Sequence, residues 1–445
     1  MIPKMLPTLF FACLSLAVFP ARAGDGKLDL KPMSGFASYE MGRIEEGTFG
    51  TGTRVDNEFL HRASVWFTQE AELTANMRIL MGLGGIYYFV YPRQISNPYA
   101  FSKRSALGLS QAQGIYTFGD PAAEDHTLRV HVGIMPMKYN PDAKNLGEYL
   151  FRTWSYPGLI ATGGFDIAGN AGAQVSGLRL NTKLAGFKND FLVTTQTDHP
   201  PIYDFSVTDI MSYDVMGVFE IGAGIMLENF ISMDEDATSP KVTANEYYTQ
   251  ADGKSYAFGD SKYVPQAGED TSFYTYAGTK VMGRAALNPQ GFLKWDRLGP
   301  QDLKLYAEVS VLGWKNYPGY YEKRSERMPV MVGFNLPTFK LLDVFSVEYE
   351  RYKNRFPLNS ETAIFKGGAV PSISNWFSPT ETNFHEDDVK WTVYAEKRIV
   401  DGFRIVGQVG RDHLVTLDEF SKWEWTEIMQ KPKDWYYIVK LNFTY

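Results

Sequence analysis

The chain has 445 residues, 44 Lys and Arg against 51 Asp and Glu, and a formal net charge of −7. That acidic balance argues against nucleic acid as a partner, because phosphate backbones recruit basic surfaces. The single cysteine, Cys13, excludes an internal disulfide, and no apolar run after Phe19 is long enough to cross a membrane as a helix.

Met1–Lys4 carries one positive side chain, Leu6–Phe19 is almost unbroken apolar, and Ala21-Arg22-Ala23 is a small-x-small site. These three parts predict a signal peptide over 1–23, cleaved before Gly24. Cys13 leaves with it, so the exported chain has no thiol chemistry. A short periplasmic segment over 24–33 follows, and the rest of the chain, 34–445, reads as one domain.

Beyond that point the chain alternates. Ala63, Val65 and Phe67 stand at every second position against Arg62, Ser64 and Trp66; the turn Thr74-Ala75-Asn76 follows; then Met77, Ile79, Met81 and Leu83 resume the period. Period two is the mark of a strand with unlike faces. Strands are expected near 34–45, 59–73, 77–90, 106–118, 126–137, 172–185, 190–198, 206–214, 218–231, 272–287, 302–315, 328–336, 343–354, 388–399, 403–412 and 434–445. That is about sixteen, with fourteen to eighteen the range the pattern allows. The segments 106–118 and 206–214 are the most weakly patterned. In 106–118, Leu107 and Leu109 share a parity with Gln111 and Gln113.

Connections on one side are short: Thr74–Asn76, Gly119–Asp125, Gly186–Asn189, the residues after Asp214, Pro337–Leu342 and Val400–Gly402, with Asn288–Gln301 a longer exception. On the other side Lys138–Ala171, Ser232–Thr271, Arg355–Asp387 and His413–Lys433 are long. That asymmetry, and an even strand count, predict an all-β transmembrane antiparallel barrel with periplasmic turns and extracellular loops. Tyr87, Tyr88, Tyr91, Trp314, Trp391, Trp435, Tyr436 and Tyr437 are candidates for aromatic girdles at the membrane surfaces.

The last strand ends with Tyr437, Val439, Leu441, Phe443 and Tyr445 at every second position. It resembles the C-terminal assembly signal of outer-membrane barrels, which implies recognition by the barrel-assembly machinery and residence in the outer membrane of a Gram-negative bacterium. Membrane lipid and lipopolysaccharide are then the surrounding partners.

By alternation, Arg62, Glu70, Glu72, Arg78, Arg129, His131, Arg179, Lys280, Arg284, Lys304, Glu308, Glu348, Glu350, Lys390, Glu396, Arg398, Arg404 and Lys440 face inward. So many charges require water, and about sixteen strands enclose an aqueous channel. The architecture resembles the general porin family, which implies passive diffusion of small hydrophilic solutes or ions, a homotrimer, and a third outer loop folded into the lumen. Here that loop is Lys138–Ala171. The resemblance makes Asp142, Glu148 and Asp166 candidate constriction acids, and Arg62, Arg78, Arg129 and Arg179 candidate wall bases.

Six scattered histidines sit in no catalytic motif, so no enzymatic activity and no cofactor are expected. The acidic runs Asp234-Glu235-Asp236 and His385-Glu386-Asp387-Asp388 read as solvated faces rather than metal sites. The alternative function is surface binding or adhesion through the long loops, where Tyr247, Tyr248, Trp376 and Phe377 could engage polysaccharide.

Overall fold

The computed structural model describes residues 29–48, 54–90, 105–152, 173–195, 205–231, 247–249, 255–257, 278–293, 295–316, 323–353, 386–416 and 426–445. Sixteen antiparallel strands close into a barrel. They are β1 Ser34–Glu46, β2 Glu58–Thr74, β3 Met77–Val90 and β4 Ser105–Phe118. Next come β5 Thr127–Met137, β6 Ala173–Leu184, β7 Phe187–Thr195 and β8 Phe205–Val215. Then come β9 Phe219–Ile231, β10 Gly278–Leu287, β11 Leu305–Val311 and β12 Val330–Asn335. The last four are β13 Val344–Arg351, β14 Val389–Val400, β15 Phe403–Arg411 and β16 Trp435–Thr444.

Each strand pairs with its neighbours in sequence, and β16 returns to β1 in a register from Phe36↔Thr444 to Glu46↔Trp435. Closure leaves no unpaired edge, as a membrane without water demands. A two-residue strand, Asp29–Leu30, lies outside the barrel proper and pairs with Glu72 and Ala71 at the end of β2.

Every expected strand is present. Two boundaries move for identifiable reasons. Ala185 and Gly186 both have positive φ, 49° and 82°, and make a two-residue turn of the kind that matches strand twist. The seventh strand therefore starts at Phe187 rather than near 190. The eleventh starts at Leu305, because Leu303 has φ 64° and breaks the extended run.

The parity conflict in β4 is resolved by a bulge. Gly82 pairs with Gln111 while Leu83 pairs with Leu109, so Ser110 is an extra residue and the faces exchange across it. Leu107 then lies outward, 79% exposed, while Gln111 and Gln113 are buried inside.

Outward positions such as Phe67, Met81, Leu83, Val132, Ile221, Ile225, Val309, Val332, Val347 and Val439 form an exposed apolar belt. In water that much apolar surface would be costly, whereas in lipid it is the required face. No helix among the described residues is long and apolar enough to cross a membrane. Of the expected girdle residues, Tyr87 and Tyr437 are outward, but Tyr88 and Tyr436 face the lumen and are almost fully buried. Alternation forces this, since neighbours on a strand cannot share a face. Tyr91 lies outside the described residues.

Candidate lumen constriction

The long connection after β5 turns into the barrel. Its described part, 138–152, runs from Lys138 to the helical turn Tyr149–Arg152. Ala143, Leu146, Tyr149 and Leu150 have no solvent exposure. Their partners are lumen-facing apolar side chains: Leu146 and Tyr149 join Ala286, Tyr306 and Met331, while Leu150 joins Met135, Leu192, Ile210 and Met226. The inner wall from β5 to β12 is therefore apolar where the segment covers it, and burial of both surfaces supplies the driving force.

Polar ties then fix the segment in place. Glu308 on β11 accepts from the Tyr139 hydroxyl at 2.6 Å, Asn140 Nδ2 at 2.8 Å, and the backbone N–H groups of Glu148 and Tyr149 at 3.1 and 3.0 Å. Glu348 on β13 accepts from the backbone N–H groups of Lys144, Asn145 and Leu146 at 2.5, 2.8 and 3.0 Å, and from the Tyr306 hydroxyl at 2.8 Å. Two buried carboxylates thus satisfy backbone donors that an irregular segment inside a barrel would otherwise leave unpaired. Gly147 and Glu148, with φ of 86° and 63°, turn the chain between these two anchors.

A second segment enters from the seam side. Leu414, Ile428 and Met429, between β15 and β16, pack against inward Ile44, Leu60, Trp66, Ile86, Tyr88 and Ile438. Glu350 links the two: its Oε2 accepts from the Tyr149 hydroxyl at 2.7 Å, and its Oε1 lies 2.8 Å from His413 Nε2.

Among the loop acids, Asp142 is buried and ion-paired with Lys304, and Glu148 is buried and accepts from the backbone N–H of Asn140. Asp166 lies outside the described residues. The four arginines stand on the other wall. Arg62 is buried and bonded to Glu40 at 2.8 Å and to the Tyr88 hydroxyl at 3.2 Å. Arg78 meets Glu70 at 3.3 Å, and Arg179 meets Asp190 at 2.7 Å. Arg129 has no ion pair among the described residues.

Registers align two of these arginines with His131. Arg78 pairs with Ile115, Ile115 with His131, and His131 with Arg179, one row across β3–β6. Arg129 stands in the next inward row, opposite Asn181. The anchoring acids Glu308, Glu348 and Glu350 stand on β11 and β13, and β13 is diametrically opposite β5 in a sixteen-stranded ring. Both walls also carry partners of opposite charge: Glu40, Glu70 and Asp190 beside the arginines, and Lys280, Arg284 and Lys304 on β10 and just before β11. Sequence alternation put all these groups inside but gave no signal that Glu308 and Glu348 would grip the loop, or that Leu414, Ile428 and Met429 would also pack inside.

The acidic run at 386–388 is committed elsewhere: Asp387 pairs with Lys390 and with Arg411, the latter at 2.9 Å, and Glu386 pairs with Lys431.

No family model matches the sequence, and no curated protein matches it. Among solved structures, the chain is similar to Salmonella typhi OmpF in complex with daunomycin, at 11% identity and TM-score 0.47 over 95% of this chain and 99% of that one. It is also similar to several mutants of the Rh. blastica porin, one at 9% identity and TM-score 0.44 over 94% of this chain and 100% of that one. By its strand count, its closure and its apolar outer belt, the protein is a sixteen-stranded antiparallel transmembrane β-barrel with a loop segment turned into its lumen.

Proposed function

We propose that the barrel is a channel for passive diffusion of small hydrophilic solutes or ions, with its narrowest part between the inturned segment 138–152 and the wall of β2–β6. The observation that carries this reading is an irregular segment packed inside a lumen whose walls bear ionised side chains. Arg78 and Arg179 share one row on one wall, beside Glu70 and Asp190, and Glu308, Glu348 and Glu350 stand on the other, with Asp142 and Glu148 on the segment between. Charged groups at the narrowest part of a wet lumen discriminate ions by charge. No chemical step is needed for this role. The signal peptide, the Gram-negative envelope and assembly as a homotrimer complete the reading.

The test is single-channel conductance of the detergent-folded protein in a planar bilayer under a salt gradient. Stable stepwise currents are expected. The triple variant Asp142→Asn, Glu148→Gln, Asp166→Asn is expected to move the reversal potential toward anions, and Arg78→Gln with Arg179→Gln to move it toward cations. A folded preparation without current would reject the channel.

A further inference from the structure

A second cluster of cations, which includes Arg129, lies one row beyond the Arg78–Arg179 row, at the short-turn rim of the lumen. A cavity of about 520 Å³ opens there between two adjacent hairpins. The β4–β5 turn contributes Ala122 to Asp125, and β5–β7 contribute Arg129, Lys183, Phe187 and Lys188. By alternation Arg129, Lys183 and Lys188 all face inward.

The registers make this cluster costly. Lys183 and Lys188 are directly opposed across the β6–β7 ladder, where side chains leave Cβ atoms only about 4.5–5.5 Å apart and like charges destabilise the pair. Their other cross-strand neighbours, Thr127 and Ser212, are uncharged. Among the described residues neither lysine has an ion pair. Arg129, beside them, has an enclosed Nε with no hydrogen-bond partner.

The nearby acids offset the excess only in part: Asp125 lies within the field of Lys183 and Glu220 within that of Lys188, but neither forms an ion pair with its lysine. Asp125 spends both carboxylate oxygens on the backbone N–H of Ala185, each at 3.0 Å, which ties one hairpin to the next. Backbone hydrogen bonds from His126 and Ala185 hold its carboxyl below the usual range, so it remains an acceptor. Glu220, on β9, is bound by Arg284. Glu124, exposed at the lip, is the remaining acid in the cavity lining.

We propose that this rim cavity is a binding site for a compact oxyanion, clamped between the ammonium groups of Lys183 and Lys188 and the guanidinium of Arg129. An oxyanion supplies several acceptors at once. It relieves the lysine–lysine repulsion, and its oxygens match the guanidinium fork. The cavity is large enough for a solute that carries the group on a small polar body. A role as a station on a conduction path rests on the channel reading above, whereas binding itself does not.

Inorganic phosphate is the probe. Isothermal titration of the detergent-folded barrel with phosphate, at constant ionic strength set by chloride, is expected to give saturable binding. The variant Lys183→Gln, Lys188→Gln is expected to lose at least tenfold in affinity. Thermal unfolding provides a second readout: phosphate raises the midpoint of the unsubstituted protein and not of the variant, while without phosphate the variant is at least as stable, because the like-charge pair is gone. Absent binding, or binding and stabilisation unaltered in the variant, would overturn the site. Currents recorded on the same preparations separate the two claims, since a barrel that binds phosphate without conducting loses the channel and keeps the site.

Discussion

The hydroxyl of Tyr139 donates to Glu308 over 2.6 Å, although one residue follows β5 and the other stands far around the barrel on β11. The inturned segment brings the two together, and the same carboxylate collects three further donors from the segment.

Glu308→Gln keeps the shape but replaces an acceptor oxygen with an NH2 group facing donors. Hydrogen bonds to a charged group are worth about 1.5–3 kcal/mol each. The 138–152 segment should loosen by that order, and exchange protection of the Glu148 and Tyr149 amides should fall by at least tenfold. Unchanged protection would mean that apolar burial alone holds the segment.

Gly333 on β12 lies under the ring of Tyr306: a Cβ there would come within 2.1 Å of the ring. Gly333→Ala should push the ring aside and draw its hydroxyl away from Glu348. Current noise should rise in this variant and likewise in Glu348→Gln, with little loss of global stability. Quiet, unaltered currents in both variants would uncouple Tyr306 from the segment.

Arg62 and Glu40 are buried together, with side chains 7% and 2% exposed. Arg62→Met strands the carboxylate and should cost about 3–5 kcal/mol in urea unfolding, whereas the double variant with Glu40→Met should recover most of it. Equal losses in single and double variants would mean that packing, not charge, is at stake.

The end of β16 closes the seam. The backbone N–H and C=O of Gly35 bond to those of Tyr445 at 3.0 and 3.1 Å. Tyr445 meets Phe67 with ring centroids 6.1 Å apart, and Phe443 stacks on Phe403 at 4.8 Å. If Tyr437, Val439, Leu441, Phe443 and Tyr445 also serve as an assembly signal, Phe443→Ser should lower the yield of heat-modifiable barrel in membranes more than it lowers stability after refolding in detergent. Parallel losses would assign these residues to packing alone.

The barrel was legible because a strand between lipid and water must alternate, and alternation survives in a single sequence. It misled where the backbone departs from ideal pleating. The bulge at Ser110 made β4 look faceless. β8 looked weak because Asp209 occupies an outward position, where Asn189 donates to it at 2.6 Å. The candidate site was half legible. That the connection beginning at Lys138 folds into the lumen came from resemblance, and is seen for 138–152, while the inward charges came from parity. Which segment donors Glu308 and Glu348 meet depends on contacts between positions 159 or more residues apart for the first and 202 or more for the second, and no local pattern encodes them. Expectations on Asp166, Trp376 and Phe377 fall outside the described residues.

The pairing of β1 with β16 also governs how the molecule can be made. Until the final strand docks, the first strand presents a full ladder of unsatisfied donors and acceptors, and neither lipid nor an adjacent hairpin can meet them. A partly assembled barrel in lipid would carry that cost along its whole first edge, so a catalyst of assembly would have to shield that edge until the last residues arrive.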